Sequence, residues 1–400
     1  MKSIWKAGSI AILIAIFVVT ALVACSADPE PTPQPTSTPE PTVVPTSTPE
    51  PTATPEPTPV PTATPEPTAT PQPTATPEPT ATPVPEPTVV PYPTVPGIVD
   101  PTNRGWPREV ELADEIVTIE EPPMRVLAYS LGHDEILLAL MNAERFAAVG
   151  PFTGDPAYSN VADLAAGLAT FESGVENVLA ANPDLVLVSR YTDADVVDLI
   201  KEAGVTVART VLDGSASGNI ANILLIGYML GVEERALELV AEIQGKLDFV
   251  AERVPPLGDA ERPSVIATTK YADSIYVAGN DTTEGGIVEA GGGINAAARD
   301  GIVSHQTVSI ESIAAMSPDV ILIAQPIEYG ANEYRDELLA HPALVDVPAI
   351  VNNAVHVVDS RKYTTLSHWN VRGIEQTALL LYPDQFGDVD FVDFEPYRGE

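Results

Sequence analysis

Two fourteen-residue stretches of this chain repeat one another without a gap: Val175-Glu-Asn-Val-Leu-Ala-Ala-Asn-Pro-Asp-Leu-Val-Leu-Val188 aligns on Ile310-Glu-Ser-Ile-Ala-Ala-Met-Ser-Pro-Asp-Val-Ile-Leu-Ile323. Each copy reads as a short helix, a Pro-Asp turn and a strand that is apolar at every position. Such a strand is buried on both faces, as in a parallel sheet covered by helices on either side. A recurring unit of this kind predicts two related α/β halves.

The flanking pattern agrees. Strands are expected at 125–130, 146–150, 184–189 and 205–211, alternating with helices at 134–141, 175–181 and 193–203. Gly204 fits a helix C-cap there. A second series follows, with strands at 264–270, 275–278, 319–324 and 354–359 and helices at 284–290, 310–316, 333–340 and 369–381. Between the two series, residues 219–254 carry apolar side chains at helical spacing, from Ile223 and Ile226 to Leu247 and Val250. Pro255-Pro256 stops that run. The expected architecture is α/β: two Rossmann-like lobes, over 98–217 and 257–400, joined by a single long backbone helix over 218–256. Gly231 marks a kink or break in that helix.

The first 97 residues follow other rules. Lys2 and Lys6 precede an apolar run from Ile10 to Val23, and Leu22-Val23-Ala24-Cys25 ends it. A charged start, an apolar core and small residues before a cut define a secretory signal over 1–24. Cys25 is the sole cysteine, which excludes a disulfide framework. Its setting resembles the lipobox of bacterial lipoproteins, which implies a lipid-modified Cys25 holding the chain on the extracytoplasmic face of the cell membrane. Residues 25–97 hold most of the 41 prolines, with units such as Thr-Ala-Thr-Pro-Glu-Pro-Thr. Proline removes backbone donors and large apolar residues are scarce, so a disordered, extended Pro/Thr-rich stalk is expected.

The formal charge is -36, and the residues after Gly97 carry 48 acids against 18 bases. That field repels nucleic acid and anionic lipid head groups, so a nucleic-acid partner is excluded. The chain has no HExxH, no GxSxG and no phosphate loop, which argues against an enzyme. Its five histidines show no HxH spacing, so neither a protein metal centre nor a resident cofactor is expected.

Ligands of paired α/β lobes bind beyond the carboxyl ends of strands, in the cleft where the lobes face each other. In the first lobe the loops there offer Tyr129, His133, Phe152, Tyr158, Arg190 and Tyr191. In the second they offer Lys270, Tyr271, Tyr329, Arg361, Tyr363 and Trp369, with His305 and His368 as further histidines able to converge on the cleft. Arginine forks suit carboxylates and anionic chelates, and aromatic faces suit flat apolar ligands. Glu176 and Glu311 occupy the same place in the two copies of the repeat, each in the first turn of its helix. Ser173-x-x-Glu176 also has the form of a capping box.

From about Arg108 to Phe386 the chain resembles the ABC-transporter solute-binding proteins for iron-siderophores, haem and cobalamin. The pieces that carry the resemblance are 125–150 (RVLAYSLGHDEILLALMNAERFAAVG), the two repeat copies, Gly231-Val-Glu-Glu-Arg-Ala, Tyr276-Val-Ala-Gly, Ala290-Gly-Gly-Gly-Ile-Asn-Ala and Leu379-Leu-Leu-Tyr-Pro-Asp. The first segment departs from the family, which commonly carries Ser-Pro before the first helix where this chain has Tyr129-Ser-Leu-Gly-His133. The resemblance implies two lobes bridged by one helix and a monomer that delivers a metal-chelate nutrient, an iron-siderophore first, to an ABC permease dimer. Haem, cobalamin or a bare metal ion stay open as ligands, and a stalked surface sensor or adhesin stays open as a function. It also implies that Glu176 and Glu311 dock on the permease, one carboxylate per lobe.

Overall fold

The computed structural model describes residues 92–397 apart from 114 and 216–218. The expected signal segment, Cys25 and the Pro/Thr-rich stretch as far as Pro91 lie outside the described residues. Tyr92–Gly97, expected at the end of the stalk, are packed on the first lobe. Tyr92 and Val95 are buried, and the Tyr92 hydroxyl donates to Leu224 O at 2.7 Å. An unanticipated antiparallel hairpin follows, β1 (Arg108–Leu112) and β2 (Glu115–Ile119).

The first lobe then alternates strand and helix. In order it has β3 (Val126–Ala128), α1 (Leu131–Leu140), β4 (Phe146–Ala148), α2 (Val175–Ala180), β5 (Leu185–Val188), α3 (Ala194–Glu202) and β6 (Thr206–Arg209). The four strands form a parallel sheet in the order β4-β3-β5-β6. All four residues of β5 are buried, as an apolar strand in mid-sheet requires.

The expected single long helix is two helices, α4 (Asn219–Leu230) and α5 (Glu233–Arg253). Gly231 sits at φ +70°, a backbone region that glycine enters without a Cβ clash. Its N–H reaches Tyr228 O at 3.2 Å and the Val232 N–H reaches Gly227 O at 2.9 Å. That pair of bonds is a Schellman motif, which satisfies the last carbonyls of α4 and redirects the chain. The Glu233 carboxylate then opens α5 paired with Arg108 at 2.7 Å and Arg104 at 3.3 Å. It is α5 that touches both lobes, α1 on one side and a C-terminal helix (α12, below) on the other.

The second lobe runs β7 (Ser264–Tyr271), β8 (Ser274–Ala278), α6 (Thr283–Ala290), β9 (Ile294–Asn295), α7 (Ala296–Arg299), β10 (His305–Val308), α8 (Ile310–Met316), β11 (Val320–Ile323), α9 (Ala331–Ala340), α10 (Pro348–Val351), β12 (Val355–Val357), α11 (Ser360–Tyr363), α12 (Asn370–Leu381) and α13 (Pro383–Phe386). Its sheet has the order β10-β8-β7-β11-β12, with β9 beside β7. β7, β11 and β12 are parallel, whereas β8 and β10 run antiparallel to their neighbours.

The repeat now has a physical cause. Asp184 Oδ2 accepts from the Met124 and Arg125 N–H groups at 2.6 and 2.9 Å. Asp319 Oδ2 accepts from the Ser264 N–H at 2.8 Å. In each lobe the aspartate of the Pro-Asp turn pins the amino end of the neighbouring strand, β3 or β7, to the strand that follows the turn.

Candidate functional site

A cavity of about 750 Å³ opens between the lobes, within the range of small-molecule sites. The first lobe lines it with the loops after β5 and β6. The Arg209 guanidinium holds the β5 loop by donating to the carbonyls of Ser189, Arg190 and Thr192 at 3.0, 3.3 and 3.1 Å. That leaves the side chains of Arg190 and Tyr191 on the cavity, with Tyr191 81 % exposed. After β6, Asp213 Oδ1 accepts from the Ser215 N–H at 2.9 Å and its hydroxyl at 2.7 Å, which shapes a turn at the rim.

The second lobe's wall is the turn from β8 into α6. The Thr282 hydroxyl caps α6, accepting from the Gly285 N–H at 3.1 Å and donating to Gly279 O at 2.7 Å. Glu284, in the first turn, is only 5 % exposed yet lines the cavity. His305 Nε2 lies 3.1 Å from both of its oxygens, and this bond raises the imidazole above its ordinary pKa. Gly214 lies against α6: a Cβ there would sit 2.9 Å from Thr283 Oγ1, so a side chain would hold the lobes apart.

The lobes also meet through aromatic rings. Phe152 stands edge-on to Tyr158 at 5.4 Å between centroids, and Tyr158 of the first lobe lies 5.6 Å from Tyr329 of the second. Burial, the Tyr329 hydroxyl and nearby Tyr271 push the Tyr158 phenol up to about 12. Burial and the Glu284 carboxylate raise the Tyr271 phenol in turn. Phe152, Tyr271 and Tyr329 are each more than half exposed.

A buried carboxylate ties the lobes together. Glu135 of α1 accepts from the Asn160 N–H at 3.0 Å and its amide at 2.9 Å within its own lobe. From the other lobe it accepts from the hydroxyls of Thr365, at 2.6 Å, and Ser367. The Asn160 amide also donates to Arg361 O at 2.9 Å. Burial raises the Glu135 pKa, and the bonds from Ser367, Thr365 and Asn160 oppose the rise.

Of the expected ligand contacts, Arg190 and Tyr191 line the cavity, and Phe152, Tyr158, Tyr271 and Tyr329 form the aromatic group. The others turn elsewhere. His133 has no exposed surface; it sits between Ser130 Oγ and Thr210 Oγ1, each at 2.6 Å, and burial lowers it to about 4. Tyr363 is fully buried on Thr377 Oγ1 at 2.8 Å. Trp369 and His368 pack under the C-terminal segment against Phe394. Tyr129 leans on Phe171, and its hydroxyl is buried. Lys270 is paired with Glu337, and Arg361 with Asp359 at 2.8 Å. In each case neighbours within the lobe pack against or bond the side chain, although Tyr129 Oη, His368 Nδ1 and Trp369 Nε1 are buried without a hydrogen-bond partner. The lining residues that were not foreseen, Asp213, Asp281, Thr283 and Glu284, are short polar residues of turns and a cap, with no signal of their own in the sequence.

Glu176 and Glu311 are exposed in the first turns of α2 and α8, one per lobe. The expected capping box at Ser173 does not form. Gly174 is the N-cap of α2, at φ 138°, and no side chain caps the helix. In the second copy Ser309 does cap, accepting from the Ser312 N–H at 3.3 Å.

Two α/β lobes around an open cavity, with a helix spanning both, define a solute-binding protein. The model of the periplasmic binding protein family matches residues 126–362, and the chain belongs to that family. It is 27% identical over 280 residues to an uncharacterized ABC transporter substrate-binding lipoprotein of Bacillus subtilis, YvrC, covering 69% of this chain and 85% of that one. It is 26% identical to a cobalamin-binding protein of Halobacterium salinarum over 54% of this chain and 57% of the relative. Among solved structures, the apo haem-binding protein RhuT of Roseiflexus sp. RS-1 shares the fold, with a TM-score of 0.57 and 24% identity over 65% of this chain and 98% of that one. The chain is accordingly a binding protein of the periplasmic type.

Proposed function

We propose that the chain captures a metal-chelate nutrient of the siderophore, haem or cobalamin kind, outside the membrane, and hands it to an ABC permease dimer. The observation that carries this is the inter-lobe cavity of about 750 Å³ with the exposed Tyr191 on its wall. Aromatic faces cover flat apolar ligand surfaces, and the two-sided wall removes most of a bound ligand from water. The work required is capture and release. A lipid on Cys25 would hold the protein at the membrane, in keeping with the lipoprotein relative. Glu176 and Glu311 would dock on the two permease subunits, as exposed acids in matching places on the two lobes.

The test is a titration of the purified protein with ferric hydroxamate and catecholate complexes, haemin and cyanocobalamin, followed by intrinsic fluorescence. Saturable quenching by one of these, lost on Tyr191→Ala with Tyr158→Ala, is the expected result. Failure of every chelate to bind would remove the reading.

A further inference from the structure

We propose that the cavity selects metal chelates with no net negative charge, neutral or cationic complexes, and rejects polyanionic ones. The inference rests on the chelate reading above and adds the charge class of the ligand.

The lining carries the argument. Asp213 faces the cavity from the first lobe, and Asp281 and Glu284 face it from the second. Glu289 also lines it but is tied to Arg262 at 3.5 Å. Against these acids stand Arg190 and His305, the lining cations among the described residues. His305 is spent on Glu284, so any charge it gains neutralises that carboxylate. The two other bases that the sequence offered to an anionic ligand are engaged with Glu337 and Asp359. The cavity is therefore negative when Arg190 is counted in full. Low-dielectric walls focus such a field, and the excess of acids over bases in the whole globular part adds to it.

A second, independent feature points the same way. The exposed Tyr191 on the cavity is aromatic. Its ring face is electron-rich and attracts cationic or apolar surfaces rather than anions. A trianionic chelate would bring unpaired charge into this setting with a single guanidinium to meet it. Each carboxylate at about 8 Å from one ligand charge changes affinity on the order of tenfold.

The experiment titrates the full chain with three chelates, at low and high salt: ferrioxamine B, a monocation; cyanocobalamin, which is neutral; and ferric enterobactin, a trianion. One of the first two is expected to bind at least about a hundredfold more tightly than the trianion, with the gap narrowing as salt rises. Because the probes differ in shape as well, Asp213→Asn with Asp281→Asn isolates the charge. It should weaken the monocation and strengthen the trianion, moving the two affinities in opposite directions. A trianion that binds as tightly as the others to the unmodified protein overturns the inference while keeping the chelate reading. So does a double variant that leaves every affinity unchanged. If none of the three binds while haemin, with its two propionates, does, the inference fails and the chelate reading stands; if haemin fails as well, both fall.

Discussion

Glu135→Ala tests how the lobes are held. The carboxylate is buried and takes four donors, two from Asn160 in its own lobe and two, the hydroxyls of Thr365 and Ser367, from the other. A hydrogen bond to a charged group contributes about 1.5–3 kcal/mol, and a buried donor left without a partner costs about 1–3 kcal/mol. These terms overlap, and burial of the carboxylate itself opposes them. A loss of about 3–4 kcal/mol in unfolding free energy is the expected total. The part that crosses between lobes acts on the closed state, so loss of two crossing bonds should speed ligand release by roughly a hundredfold. Thr153→Val is the control. Its hydroxyl meets Asp134 Oδ2 at 2.5 Å within the first lobe, so it should lower stability and leave release unchanged. Urea midpoints give the stability and stopped-flow fluorescence gives the release rate. If Glu135→Ala destabilises the protein yet leaves release at the unmodified rate, the carboxylate is a packing element of one lobe and the clasp is refuted.

Other expectations follow from buried groups and exposed acids. Burial, aided by Arg235, lowers His368 to about 3, below the unfolded value near 6.5. The folded chain thus refuses a proton that the unfolded chain accepts, and stability drains by about 1.4 kcal/mol per pH unit as pH falls below about 6.5. His368→Phe should flatten the dependence of the urea midpoint between pH 6.5 and 4 by about one proton; an unaltered slope contradicts the burial argument. Glu176→Arg with Glu311→Arg should leave ligand affinity intact and abolish ligand-stimulated ATP hydrolysis by the reconstituted transporter. Full stimulation by that variant would remove the docking role. Cys25→Ser should release the protein from the membrane fraction into the medium, and unchanged fractionation would rule out the lipid anchor.

Much of the fold was legible because it is local. A helix, a Pro-Asp turn and a strand apolar at every position fix β5 and β11 wherever the rest of the chain goes, and the strands and helices around them fall within a few residues of expectation. The break between α4 and α5 was marked by Gly231, though continuous apolar spacing on both sides hid that two helices result. The candidate site was less legible. Arg190 and Tyr191 follow a strand and face the cavity as expected, because a carboxyl-end loop in a parallel sheet has one direction to go. His133 and Tyr363 also lie close after strands, but short helical turns point them inward, where Thr210 and Thr377 meet them. Position along the chain says nothing of that rotation. The Glu284–His305 pair depends on antiparallel pairing of β8 with β10, a long-range contact between two unremarkable segments. The hairpin of β1 and β2 is hidden for the opposite reason: only β1 alternates in burial, over five residues, and β2 carries no such pattern.

The most direct test of the account is where a bound ligand sits. Hydrogen exchange of the protein with and without the best-binding chelate should show protection on residues 189–192 and 212–215 of the first lobe together with 279–286 of the second. These segments form the two walls of the cavity. Protection confined to one lobe, or placed away from all three segments, would contradict the claim that the chain binds its solute between the lobes.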